Sequence, residues 1–428
     1  MLKYLKPIRL IGLFLIGLLA INCGGRPTPP PLTQGVVASG ITAEEQVQNL
    51  IGPSIVNVFV ENSGSMDGYV KGVTEFEQAV YSYISDIKIN ESVCSAMKLY
   101  YINSRKLQQP DNVRDFIEKL EPATFKLKGG DRKTTDLSNV IGDVIKDQKD
   151  DEINILVSDC VFSPGRGKNA HEYLVNQQIG IKGHFANKLK ENPEFAVIVY
   201  QLESDFDGRY FNCFDSPTDI KDKRPFYILI FGDRSRLQAL VNKVPISKIK
   251  GSGVRNSYCI ANTNIQPEYS IMVMPKIGSF QPDPLNPRTS IKKVKVDKRN
   301  PSMPFCLSIG VDFSSLLLED AYICDANNYI INNKAYNVSV NGNNTANSSY
   351  THIIKLSLNS PIISKGNIVI SLGKNKSTWA EQMTDEVGEN IFADGAMGKT
   401  FGLKYLVDGI FDAYSDKLTY TSLSINIQ

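Results

Sequence analysis

Ile55-Val56-Asn57-Val58-Phe59-Val60-Glu61-Asn62-Ser63-Gly64-Ser65-Met66 is the stretch on which the fold turns. Its first half is mostly β-branched or aromatic, the composition of a strand buried on both faces, as in a parallel sheet. The apolar run stops at a carboxylate, and two hydroxyls follow at alternate positions. Glu61-x-Ser63-x-Ser65 therefore puts three oxygen donors at the C-terminal end of a strand, the end at which open α/β sheets bind ligands. Such oxygens suit a hard divalent cation. Mg2+ comes first, with octahedral geometry at about 2.1 Å and several retained waters; Mn2+ and Ca2+ are the alternatives. The plainer alternative is a strand-to-helix loop in which Ser63 or Ser65 is a helix N-cap.

Two later segments add weight to the cation. Thr134-Thr135-Asp136-Leu137-Ser138 follows the turn Gly129-Gly130 and precedes an apolar helical pattern. Ile153-Asn154-Ile155-Leu156-Val157-Ser158-Asp159 is a second buried strand that ends in a carboxylate. With these pieces in this order, the chain resembles the von Willebrand factor type A family over roughly Pro53 to Val244. The family's metal-ion-dependent adhesion site uses D-x-S-x-S after the first strand, a Thr from a later loop and an Asp after the fourth strand. The resemblance implies Ser63 and Ser65 as direct ligands, Thr135 as the loop hydroxyl and Asp159 as the second carboxylate. It departs from the pattern at Glu61, where the family has Asp. The extra methylene lengthens the reach by about 1.5 Å, so Glu61 displaces a bridging water or binds directly. Cys160 stands where the family usually has Gly.

The 428 residues allow two or three domains, and 42% hydrophobic residues supply sizeable cores. Lys plus Arg is 47 against 45 for Asp plus Glu, which gives no electrostatic argument for nucleic acid. Lys3, Lys6 and Arg9 precede an apolar run, Leu10 to Ile21, too short to span a bilayer. The run ends at Ala20-Ile21-Asn22-Cys23-Gly24-Gly25, which resembles a bacterial lipoprotein signal with Cys23 as the lipidated residue. A plain secretory signal or an uncleaved anchor is the alternative. Several acyl chains at about 0.8 kcal/mol per buried CH2 hold a protein firmly on a membrane. Gly24-Gly25-Arg26 lacks the acidic residues that surface-exported lipoproteins of the Bacteroides type often carry. That comparison favours an outer-membrane position facing the periplasm, with surface exposure as the alternative.

The chain thus divides into a signal peptide (1–22), a Pro-rich tether (23–52), a von Willebrand-like α/β domain (53–246), an irregular linker (247–302) and a β-sandwich-like domain with a C-terminal helix (303–428). The expected α/β core is a doubly wound, mostly parallel, Rossmann-like sheet, because strand and helix patterns alternate. Thr74 and Glu77 form a capping-box pattern for a helix over 74–87, with Phe76, Val80, Ile84 and Ile87 on its buried face. Further strands are expected at 98–102, 153–157, 195–200 and 226–231, and helices at 111–120, 137–145 and 235–244. The loop Val161 to Ala170 should lie on the rim of the site. Prolines and the basic run Lys292 to Arg299 mark the linker. Strands at 305–311, 335–340, 353–358 and 368–372 suggest an antiparallel, immunoglobulin-like sandwich, and Thr400 to Tyr414 an amphipathic helix. Apart from Cys23, six cysteines remain, and Cys306–Cys324 is the pairing expected if any disulfide forms.

Two activities follow as expectations. The first is capture of a carboxylate from an envelope protein or peptide, which completes the coordination of the cation. The alternative is a metal-assisted or serine hydrolase with Ser63 or Ser65 as nucleophile. Only His171, His184 and His352 could then serve as a histidine base. Asn62-Ser63-Gly64-Ser65-Met66 is not a G-x-S-x-G elbow. An inert lipid-tethered scaffold is a third reading.

Overall fold

The structure is a computed structural model that describes residues 52–110, 112–132, 136–262, 266–345 and 348–428. The signal segment, Cys23, the tether up to residue 51 and Thr134-Thr135 lie outside the described residues.

A seven-stranded sheet forms the framework, in the order β3-β2-β1-β4-β6-β5-β7. Its strands are β1 (Ser54–Glu61), β2 (Cys94–Ile102), β3 (Lys106–Gln109), β4 (Glu152–Ser158), β5 (Phe195–Phe211), β6 (Pro217–Asp233) and β7 (Asn256–Ala261). β1 sits between β2 and β4 and is parallel to both. Its Val56, Val58 and Val60 point to one core with Ile153, Ile155 and Val157 of β4. Phe59 and Leu156 point to the other. Burial of each such side chain contributes about 1.5–3 kcal/mol, and the two-sided burial is what the unbroken apolar run required.

The longer helices are α1 (Glu75–Ile89), α2 (Leu137–Ile145), α3 (Ala170–Glu191), α4 (Arg234–Lys243) and α5 (Leu403–Ala413). α1 and α4 cover one face through Phe76, Val80, Ile84, Leu237 and Leu240. α2, α3 and α5 cover the other through Leu137, Ile141, Leu174, Ile181, Leu406 and Ile410. α1 begins as its sequence pattern requires: the Thr74 hydroxyl accepts from the Glu77 amide at 3.3 Å.

The sheet is more mixed than the expected parallel arrangement. Four strands (β1, β2, β4 and β5) run one way, while β3, β6 and β7 run the other. The cause is one long hairpin. β5 and β6 pair over 17 residues each, from Phe195 opposite Asp233 to Phe211 opposite Pro217, and a short turn joins them. A connection that short permits only antiparallel pairing, since a parallel return needs a crossover of a dozen residues or more.

The stretch 247–302, expected as an irregular linker, instead supplies strands to three different sheets. β7 closes the large sheet. β8 (Tyr269–Ile277), β9 (Ser279–Pro282) and β10 (Ser290–Lys295) join a sandwich with β11 (Phe305–Val311), β12 (Tyr329–Ile331), β13 (Tyr336–Gly342), β14 (His352–Leu358), β15 (Gly366–Gly373) and β18 (Thr419–Ile427), numbering β16 (Thr384–Asp385) and β17 (Thr400–Phe401) as a separate short pair. One sandwich sheet has the order β13-β14-β11-β8, the other β12-β15-β18-β10-β9. Leu307, Ile309, Ile354 and Leu356 meet Ile368, Ile370, Leu423 and Ile425 in the core between them.

The C-terminal helix belongs in space to the large sheet rather than to the sandwich. Leu403, Leu406 and Ile410 share a core with Leu174, Ile181 and Phe185 of α3. A Cβ at Gly409 would come within 2.8 Å of the Gln178 carbonyl, so only glycine allows this close helix crossing. Cys306 and Cys324 are both free thiols, as are the other four cysteines among the described residues. The expected disulfide is absent for a geometric reason. Phe305 and Leu307 face the sandwich core, and strand alternation turns Cys306 to the opposite face, whereas Cys324 ends a short helix beside Tyr329.

Candidate functional site

The site forms where β1 and β4 end side by side. Val60 pairs with Val157, so the next residues, Glu61 and Ser158, are neighbours. The Ser158 hydroxyl donates to Glu61 Oε2 at 2.5 Å and accepts from the Cys160 amide at 2.8 Å. Cys160 has φ +53°, a left-handed conformation that costs a non-glycine residue about 1–2 kcal/mol. Its side chain is fully buried. This tight reversal turns Asp159 away from the strand. Asp159 Oδ1 accepts from the Val161 amide at 3.1 Å.

Beyond Glu61 the chain turns sharply. Ser65–Gly68 is a single helical turn whose N-cap is Gly64, with no side-chain capping bond. Neither Ser63 nor Ser65 is therefore a cap. Instead their Oγ atoms lie 3.0 Å apart, and the Ser65 hydroxyl donates onward to the Asp159 carboxylate. Burial pushes the Asp159 carboxyl above the usual carboxylate range, while the bonds from Ser65 and the Val161 amide and the charge of Arg224 oppose this. Glu61 and Asp159 are each 3% exposed.

Glu61, Ser63, Gly64, Ser65, Arg132, Val161, Ser163 and Phe211 line a small cavity of about 20 Å³. That is room for a single water-sized occupant. Asp159 does not line it; Ser65 stands between. Thus the structure brings Glu61, Ser63 and Ser65 to one cavity and Asp159 directly behind it. Thr135 lies outside the described residues, between Arg132 and Asp136 in the sequence. Among the described residues no three His, Cys, Asp or Glu side chains gather into one cluster. The cavity itself offers one carboxylate and two hydroxyls, with the Asp159 carboxyl as a second acid behind Ser65. These hard oxygens, a desolvated acid and a space of one water fit a Mg2+-like ion. They do not suit a soft metal, which prefers thiolate or imidazole.

Sequence reasoning missed the residues that hold the loops. Arg132 Nε donates to the Asn62 carbonyl at 2.6 Å and Nη2 to the Ser63 carbonyl at 3.0 Å; Nη2 also pairs with Asp67. The Gly64 amide returns a bond to the Arg132 carbonyl at 3.0 Å. Burial pushes the Asp67 carboxyl up, and Arg132 opposes this. The buried Asn103 amide ties Asn62 to Gly129, at 3.0 and 2.9 Å. Gly130 has φ +81°, and a Cβ there would fall 2.0 Å from Asn103 Oδ1, so the Gly129-Gly130 turn is a steric requirement.

Arg224 is the second surprise. It comes from β6 and is 1% exposed. Its Nη1 donates to the carbonyls of Ala396, Met397 and Lys399, and its guanidinium lies 4.9 Å from the Tyr210 ring centre. Its charge acts on Asp159 and on Tyr69. Tyr69 lies beneath the site, with its hydroxyl donating to the Pro225 carbonyl at 2.6 Å. No sequence signal marks Arg224, whereas Ser158 sits inside the strand that the apolar pattern identifies.

No histidine lines the cavity. His171 Nδ1 lies 3.2 Å from the Tyr405 hydroxyl. His184 packs on Gly142 of α2, and His352 lies in the sandwich beside Phe313. Among the described residues no helix is long and apolar enough to cross a membrane. Compared with known protein families, with curated proteins and with solved structures, the chain has no significant match.

Proposed function

We propose that the chain is a lipid-anchored protein of the bacterial cell envelope whose von Willebrand factor type A-like domain binds a partner's carboxylate through a divalent cation. Cys23 would carry the anchor, and the periplasmic face of the outer membrane is the favoured location. Glu61, Ser63, Ser65 and Asp159 would hold the ion, with Thr135 completing the set by resemblance. The bound ion supplies an open position for an anionic oxygen. The protein's part is to keep the hydroxyls oriented, to exclude bulk water and to leave one side accessible. The partner would be an envelope protein or peptide that offers an acidic group.

One observation carries this reading. The continuous contact Ser63–Ser65–Asp159, at the carboxyl end of paired parallel strands, adjoins the cavity that Glu61 lines. Titration calorimetry with Mg2+, Mn2+ and Ca2+ tests it. Binding of at least one cation is expected, with loss in Ser63→Ala and Asp159→Ala. A pull-down from cells should release its partner in EDTA. No heat with any of the three ions would overturn the proposal.

Arg224 favours a second reading, an inert scaffold. Its fixed charge already opposes the cost of burying Asp159, which lessens the need for an ion. The same titration separates the two.

A further inference from the structure

We propose that Arg132 orients the incoming carboxylate, so that one carboxylate oxygen faces the cation position at Ser63 and Ser65 and the other takes the Nη1 edge of the guanidinium. This inference rests on the cation-binding reading above. The cavity of about 20 Å³ cannot admit a whole carboxylate, so the ligand must dock at its mouth. Among the described residues that line the cavity, Arg132 is the only cation, beside Glu61, Ser63 and Ser65.

A guanidinium has five N–H donors in a rigid fork. Three are committed here: Nε to the Asn62 carbonyl, and Nη2 to the Ser63 carbonyl and Asp67. The Nη1 pair has no assigned partner among the described residues. Two of the three acceptors are backbone carbonyls, which fix the plane of the fork without neutralising it. The Gly64 amide bond to the Arg132 carbonyl fixes the backbone as well. An arginine held this way loses little freedom when it binds, which is preorganisation. It is 15% exposed at the side chain, so a ligand can reach it. With Nε and Nη2 committed, Arg132 offers the ligand one edge of a fork held in a fixed plane, a placement that the single flexible ammonium of a lysine does not reproduce. Asp67 is the internal competitor: its carboxylate holds the neighbouring edge of the same fork.

The test is linkage between two ligands, Mn2+ and acetate, on the full chain. Mn2+ affinity is measured by electron paramagnetic resonance in chloride and in acetate at equal ionic strength, corrected for acetate's own affinity for Mn2+. The ratio of the two affinities is the coupling. Wild type should bind Mn2+ about fivefold more tightly in acetate, the lower end of typical coupling. Arg132→Lys should bring the ratio close to one. Asp67→Asn, which removes the competitor and keeps the fork, should raise it above wild type; this second variant decides the matter if Arg132→Lys does not fold. An unchanged ratio in both variants would overturn the inference. So would Mn2+ binding by wild type with no acetate effect, and that result would leave the cation reading standing. No Mn2+ binding at all would remove both.

Discussion

Strands β1 and β4 bury polar side chains at two levels, and the levels are built differently. In mid-strand, Asn57 donates to Asn154 at 2.8 Å, and Asn154 donates to the Val144 carbonyl at 2.5 Å. Both side chains are neutral, and their bonds close inside the fold. Four and five residues further on, the Glu61 carboxyl accepts from the Ser158 hydroxyl, and the Asp159 carboxyl meets a hydroxyl, an amide and the field of Arg224. A neutral pair of this kind contributes a modest net amount when complete. A buried carboxylate without a full complement of partners is costly, and that cost must be met by a proton, an arginine or an ion. The contrast separates a structural polar pair from a site with chemistry.

Removing the arginine tests the charged level most severely. Arg224→Ala leaves three carbonyls and Asp159 without their cation, and should cost about 3–5 kcal/mol in chemical denaturation. A smaller loss would mean that Asp159 is held neutral already. The cation comes next. At about 100 times its dissociation constant, Mg2+ should stabilise the wild type by about 2.7 kcal/mol. Ser63→Ala and Asp159→Ala should lose that response, measured as the shift in thermal midpoint. Asp159→Asn should lose it too, yet match or exceed the metal-free stability of wild type, because it removes a buried charge.

The neutral level should respond in the opposite way. Asn154→Ala strands the Asn57 amide and should cost about 2 kcal/mol, while the Mg2+ response stays intact. If the response falls as well, the two levels are coupled through the strands. The smallest effect lies elsewhere and inverts the sign of Asp159. Lys374 is largely buried between Asn262, at 2.5 Å, and the rings of Tyr414 and Tyr420. Burial lowers its pKa to about 8. The unfolded lysine, near 10.4, holds its proton more tightly. Stability from this group therefore rises as pH increases from about 8 to about 10. Lys374→Met should flatten that rise in denaturation curves taken across the window.

Some of the site was legible because its signals are local. A five-residue pattern after an apolar run announces Glu61, Ser63 and Ser65, and the capping box at Thr74 and Glu77 needs only one helical turn. α3 escaped notice because its buried stripe is narrow and partly polar: Leu174, Gln177, Ile181, Phe185 and Lys188. The β5–β6 hairpin reads in sequence as two short strands, since in its outer half Phe206, Tyr210 and Ile220, which join the core, stand among polar residues. Arg132 and Arg224 gave no signal at all, because nothing beside them in the chain distinguishes a buried arginine from a solvated one.

The sequence by itself determined the apolar periodicity, the helix starts and the oxygen-rich end of β1, all properties of residues within a turn or two of each other. Only the tertiary structure decided that β6 runs against β4, that α5 leaves the sandwich to pack on α3, and that two arginines stand at the carboxylates. Those outcomes depend on contacts between residues tens to hundreds of positions apart, whose energies become definite only when burial selects one register and one partner.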